Sequence, residues 1–313
     1  MSVIQVVFSS DQLLMLSVSL ITVLAITLIF KTQTTTNFSQ TTIATFGAYL
    51  VAKLMVEGGL SIWISFPIGL AVCLLLGLFI DTCVIRRGRA VNAVGKQIIT
   101  MGFTYVLLSV IAVALQLHDS SGAILQGMPK TTFFDTQNSE LMWKITDNFG
   151  YHYNTIFCFG VVAIVIAILF VAIYKTKWGL GVRMTASNEI VAQMVGVNTH
   201  VITAISWSIA AMLGCMAAVF INNTAGKLST TMMSSVQISA FLGCIVGGFN
   251  TFWGPAVATL IIWGLGGVVN ALSTIKGLGS IGTWKDVIVY AVAMILVLLK
   301  PSGLFGKAVR KKV

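Results

Sequence analysis

The chain has 313 residues, of which 57% are hydrophobic and only 9% charged, with a formal net charge of +10. Soluble domains average about 25% charged residues, so composition excludes an ordinary water-soluble globule. The fold class it implies is an all-α polytopic membrane protein, forming one transmembrane domain over residues 1–313.

Residues 1–12 lack a basic leader, so no removable signal is expected and the first span stays in place. In chain order, nine candidate spans cover 13–30, 41–56, 60–80, 98–117, 155–174, 201–221, 236–250, 255–272 and 286–299. Two of them, 41–56 and 236–250, are short for a bilayer core of roughly 30 Å, so the expectation is about 8–9 transmembrane helices. Basic residues gather in three places: Arg86, Arg87, Arg89 and Lys96; Lys175, Lys177 and Arg183; and Lys300, Lys307, Arg310, Lys311 and Lys312. The positive-inside rule makes all three cytoplasmic, with the C-terminus inside, and this placement argues for membrane topology and against nucleic acid. Acids fall mainly on the other side, at Glu57, Asp119, Asp135, Glu140, Asp147 and Asp286.

The extracytoplasmic stretch of about 118–154 reads as a compact surface loop. Ala210, Gly214 and Ala218, four apart, and the pair Gly243 and Gly247 read as helix-packing positions. The five cysteines (Cys73, Cys83, Cys158, Cys215, Cys244) have no paired spacing and read as small buried hydrophobes, with no metal site. Lys53 and Glu57, four apart, read as a local ion pair. His118, His152 and His200 all fall in loops, which leaves an intramembrane proton relay without members.

Residues 32–42, TQTTTNFSQTT, are unusually polar between two spans. Such groups are costly in hydrocarbon unless they face protein, water or solute. The segment reads either as a cytoplasmic turn or as a broken helix lining a solute path, through Thr36, Asn37, Ser39 and Gln40. Gly247, Gly248 and Asn250, before Trp253 and Pro255, are a second candidate for that path and serve equally as a tight turn.

The cytoplasmic segment 175–200 contains a short polar helix. Thr185 or Ser187 can cap it, with Glu189 in its first turn at the positive end of the dipole. Ile190, Val191, Met194 and Val195 share a face, and Gly196 follows as a terminator. The pattern fits a helix lying on headgroups or one docking its apolar face on a partner, and its weak charge favours docking.

Three stretches carry a family resemblance. GLGVRMTASNEIVAQMVGVNTHVI resembles the coupling segment of ATP-binding-cassette importer permeases. FLGCIVGGFNTFWGPAVATLIIWGLGGVVNAL and the ending KDVIVYAVAMILVLLKPSGLFGK are similar to the branched-chain amino acid (LivH/LivM-type) permeases, in the same order. LIFKTQTTTNFSQTTIATFGAYL matches more loosely: it keeps Asn37, but Phe38, Ser39, Gln40 and Thr41 follow where that family commonly shows Leu-Ala-His-Gly. The resemblance implies a permease of the bacterial cytoplasmic membrane that carries a small polar solute, branched-chain or other amino acids first. Its partners would be a second, LivM-like permease, two ATPase subunits holding ATP and magnesium, an extracytoplasmic solute-binding protein and membrane lipid. This chain itself would hold no cofactor. By the same resemblance, Ser187, Asn188, Glu189, Ile190, Met194, Val195 and Gly196 would couple it to the ATPase. The sequence contains no Gly-x-x-x-x-Gly-Lys-Ser/Thr loop and no close acid, base and nucleophile set, which speaks against an enzyme. The alternative is a self-contained channel or an ion-coupled carrier, which would be expected to show buried ionisable residues near the midplane.

Overall fold

A computed structural model describes residues 7–88, 92–116, 132–134, 142–146, 149–225, 228–273, 275 and 279–306. The expected residues Arg89, Lys307, Arg310, Lys311, Lys312, His118, Asp119, Asp135, Glu140 and Asp147 lie outside these, as does most of the 118–154 loop.

The described chain is built from α1 (Ser10–Gln33), α2 (Gln40–Val56), α3 (Ile62–Phe79), α4 (Ala93–Ala114), α5 (Tyr153–Lys175), α6 (Lys177–Ser187), α7 (Glu189–Met194), α8 (Thr199–Ala225), α9 (Ser234–Gly247), α10 (Trp253–Leu272) and α11 (Lys285–Leu299). Seven helical stretches are long and apolar enough to cross a membrane, so the protein is multi-pass. These seven, with the shorter α2 and α9, match the nine expected spans in order. At 1.5 Å per residue, the 17 residues of α2 and the 14 of α9 reach only about 26 and 21 Å, short of a bilayer core. The expected loop 81–97 is shorter than read: α3 continues through a π-helical turn, Ile80–Ile85, and α4 starts at Ala93. Part of the outer loop forms an addition to the helical expectation, an antiparallel hairpin of β1 (Met142–Thr146) and β2 (Phe149–His152).

α1 and α8 form the centre. A helix that is apolar all round belongs in a core, and Leu14, Ile21, Leu28 and Ile29 of α1 are all buried. α8 packs on α1, α2 and α3, and its small residues let them approach. A Cβ on Gly77 would lie 2.5 Å from the Trp207 carbonyl oxygen. Around this centre, α9 and α10 pack on α1, and α11 closes against α10. The outward faces of α4, α5 and α11 carry exposed apolar side chains such as Val113, Ile164 and Leu298, as lipid-facing helices do.

Charge separates the two ends. Arg86, His200, Gln33 and Asp81 meet at one end, where Lys31 also reaches Asn250 and where Lys175, Lys177, Arg183 and Lys300 lie; this is the basic end. At the other end, Lys53 pairs with Glu57 at 3.3 Å, as read from their spacing. There Phe133 stands 5.0 Å from Phe157 and 5.4 Å from Trp63, ring centre to ring centre, tying residues 132–134 to α3 and α5. Cys73, Cys158, Cys215 and Cys244 are buried and all five thiols are free.

Candidate functional site

The segment expected to couple, 175–200, forms two helices that meet at Asn188. Thr176 caps α6 by accepting a hydrogen bond from the Gly179 amide at 3.1 Å. Asn188 leaves helical geometry and its side-chain oxygen accepts from the amides of Ile190 (3.0 Å) and Val191 (3.2 Å). Asn188 is therefore the N-cap. Thr185 and Ser187, the expected caps, lie inside α6, where the Thr185 hydroxyl donates to the Gly181 carbonyl. An Asn side chain set between two helices satisfies two of the second helix's orphan amides at once. Glu189 opens α7 in the expected position, and Gly196 at φ +88° ends the turn that follows Val195. Ala192 is buried and the Gln193 amide group donates to Thr199 at 2.8 Å, so α7 is anchored on α8 by its inner face. Its outer face is apolar and bare: Ile190 is 64% exposed, Met194 79% and Val195 67%.

The polar segment 35–39 lies inside the bundle, with Thr34 exposed at its start. The Gln40 side chain donates to the Ala210 carbonyl at 2.7 Å, about 16 Å along α8 from Thr199, so α2 starts near mid-depth. Asn37, Ser39 and Gln40 are all buried. Asn37 accepts from the Ser39 amide (2.9 Å) and hydroxyl (2.7 Å) and donates to Gln40 at 3.3 Å. Thr36 accepts from Gln97 at 2.8 Å, and the Phe38 amide donates to Thr100 at 3.2 Å. The segment is thus a helix break whose polar groups are met by protein. Gln237, which sequence reading passed over, joins it: its amide group donates to the Phe38 carbonyl at 3.0 Å and its oxygen accepts from Thr41. A lone glutamine in the apolar run SSVQISAFLGC was the signal available.

Gly247, Gly248 and Asn250 do not join this network. They lie at the far end of α9, about 15 Å from Gln237. A Cβ on Gly247 would fall 2.4 Å from the Pro255 nitrogen, and one on Gly248 (φ +84°) 2.8 Å from the Ser302 carbonyl oxygen. The Leu304 amide donates to Val246 at 2.7 Å, so the glycines close a joint onto the Pro-Ser-Gly-Leu-Phe-Gly ending. Asn250 accepts from the Lys31 ammonium at the basic end.

A second feature missed in sequence is Asp81, which is buried. It accepts from Gln33 (2.8 Å), Arg86 (2.9 Å) and Thr203 (3.4 Å), while Arg86 also donates to the His200 carbonyl. One carboxylate thereby ties α1, the π turn and α8 together at their basic ends. At the opposite end, a cavity of about 470 Å3 opens between α1, α9, α10 and α11, with Asp11, Lys285, Asp286 and Tyr290 among its lining.

A family model described as the permease component of branched-chain amino acid transport systems matches residues 9–298. A protein of Methanocaldococcus jannaschii named "Probable branched-chain amino acid transport permease protein LivH" is 26% identical over 297 residues, covering 90% of this chain and 87% of its own. The high-affinity LivH permease protein of Salmonella typhimurium is 22% identical, covering 88% and 87%. The BraD permease protein of Pseudomonas aeruginosa is 25% identical over about half of each chain, 51% and 50%. No solved structure gives a significant match. The match runs from the start of α1 into the last turn of α11, and the chain therefore belongs to the family of branched-chain amino acid transport system permease components.

Proposed function

We propose that this chain is one permease of an ATP-binding-cassette importer that moves branched-chain or other amino acids into the cytoplasm, its basic end and C-terminus cytoplasmic. The observation that carries the reading is α7. Its outer face is apolar and more than half exposed, while Asn188 caps it and Ala192 and Gln193 seat its inner face on α8. A helix of this kind is a docking element for another protein. Ser187–Gly196 would seat in the ATPase, Ile190, Met194 and Val195 filling its cleft and Glu189 meeting polar groups there. Two such ATPases would bind ATP and magnesium, a second LivM-like permease would complete the path, and a solute-binding protein would deliver to the opposite end. Within the chain, the break at Thr36, Asn37, Ser39 and Gln40 is the part of the path suited to a polar solute. Its hydrogen bonds are side-chain bonds, which can be exchanged for solute without unwinding a helix.

The test is purification of the tagged chain from its native membrane in several mild detergents, with co-purifying proteins identified by mass spectrometry. An ATPase, a second permease and a solute-binding protein are expected, and leucine, isoleucine or valine should raise the binding protein's melting temperature. A chain that purifies alone in every detergent would point instead to a self-contained channel or ion-coupled carrier.

A further inference from the structure

At the basic end, a pocket of about 350 Å3 lies between the last turn of α1, the last turn of α5, α6 and the turn joining α9 to α10. Two cations line it, Lys31 and Arg183, and no carboxylate does. Neither has a carboxylate partner among the described residues. Each lies over an aromatic ring, Lys31 5.5 Å from the centre of Phe252 and Arg183 5.7 Å from that of Tyr174. The Lys31 ammonium meets the Asn250 carbonyl, a neutral acceptor that leaves its charge uncompensated. Two cations lining one concave site with no carboxylate beside them call for an anion.

The surroundings say which anion. Tyr174 and Trp253 are both exposed at the rim, beside basic residues, as aromatic side chains are at a membrane–water interface. Above the rim, Ile164, Ile168 and Val171 follow helical spacing up α5, each more than half exposed. They form an apolar strip leading about 15 Å from Tyr174 into the bilayer. A phosphate in the pocket could therefore carry acyl chains that lie along this strip.

We propose that Lys31 and Arg183 bind the phosphate of an anionic phospholipid from the leaflet at the basic end. The headgroup bridges the end of α1 to α6, the helix that leads into the coupling segment, so one lipid touches both the central helix and the coupling element. The chemistry recognised is a phosphate, which free inorganic phosphate shares. The acyl strip favours the lipid source.

The experiment uses the importer purified with its partners and returned to nanodiscs of phosphatidylcholine and phosphatidylglycerol, with the retained lipid counted by mass spectrometry after detergent washing. Wild type should retain phosphatidylglycerol over phosphatidylcholine, and Lys31→Gln with Arg183→Gln should lower that retention by about tenfold. The control pair Lys175→Gln and Lys177→Gln removes the same charge outside the pocket and should lower retention clearly less than the pocket pair; an equal loss would mark general surface attraction and overturn the site. Equal retention by wild type and the pocket variant would overturn the proposal, as would displacement of the lipid by millimolar inorganic phosphate, which would mark a free-phosphate site. If the pocket variant does not assemble, a photoactivatable phosphatidylglycerol decides on the unmodified protein. Cross-links should map to residues 164–187 and 250–253. Cross-links elsewhere, or an ATPase segment filling the pocket instead, would refute it.

Discussion

The Thr41 hydroxyl donates to the side-chain oxygen of Gln237 across 2.5 Å, joining the starts of two helices that both begin within the depth of the bundle. Because the Gln237 amide group also holds the Phe38 carbonyl, one side chain bridges the helix break and α2. Thr41→Val, Gln237→Leu and the double variant form a cycle whose coupling should be about 0.5–1.5 kcal/mol, in the range of polar pairs between membrane helices. Thermal unfolding in detergent measures it. Both single variants should also slow solute uptake, and additive stabilities with normal uptake would dissociate Gln237 from the break.

Asp81 is the buried charge on which three elements converge, so its loss leaves Arg86 short of its anion. Asp81→Ala should destabilise the protein by roughly 2–3 kcal/mol, below the full cost of breaking a buried pair because Arg86 is partly exposed. Asp81→Asn keeps the acceptor oxygen for Gln33 or Arg86 and should lose less. A fall in melting temperature of the same size for both would show that the charge itself is what matters.

At the closing joint, Gly303 has φ +81°, and a Cβ there would fall 2.5 Å from Gly248. Gly303→Ala combines a left-handed backbone, about 1–2 kcal/mol for a residue with a Cβ, with a backbone clash that has no flexible side chain to relieve it. The C-terminal segment should then detach from Val246, giving new protease cleavage between 300 and 306. An unchanged digestion pattern would contradict the close packing of the two glycines.

Coupling is tested most directly on α7. Glu189→Ala with Gly196→Val should uncouple uptake while the chain still inserts, since α7 lies outside the spans. Met194→Asp places a charge on the 79% exposed position and should weaken ATPase co-purification without lowering the melting temperature of the isolated permease. Full uptake in the double variant would remove α7 from the coupling assignment.

What the sequence revealed and what it hid follow one rule. The spans were legible because a bilayer demands long apolar runs, and α7 because capping and the Gly196 terminator act within a few residues. Its N-cap was misplaced, at Thr185 or Ser187 instead of Asn188: all three are chemically able, and only the path of α6 decides between them. Thr41 and Gln237 are 196 positions apart, beyond any local pattern. Asp81 and Arg86, five apart, face each other because the intervening turn is π-helical, a geometry that an α-helical reading does not place on one face. Gly247 and Gly248 were read as path lining or equally as a tight turn; that the chain ending folds against them, about 50 residues on, lay beyond any local pattern.

Residues 35–38 make their bonds through Asn37, Gln97, Thr100 and Gln237, and no helical ladder runs through them. Ahead of α2 the chain is therefore held by side chains, while α1 and α8 are continuous helices of 24 and 27 residues. Any shift of α2 against α1 and α8 would require those side-chain bonds to exchange, whereas no such break interrupts the two long helices.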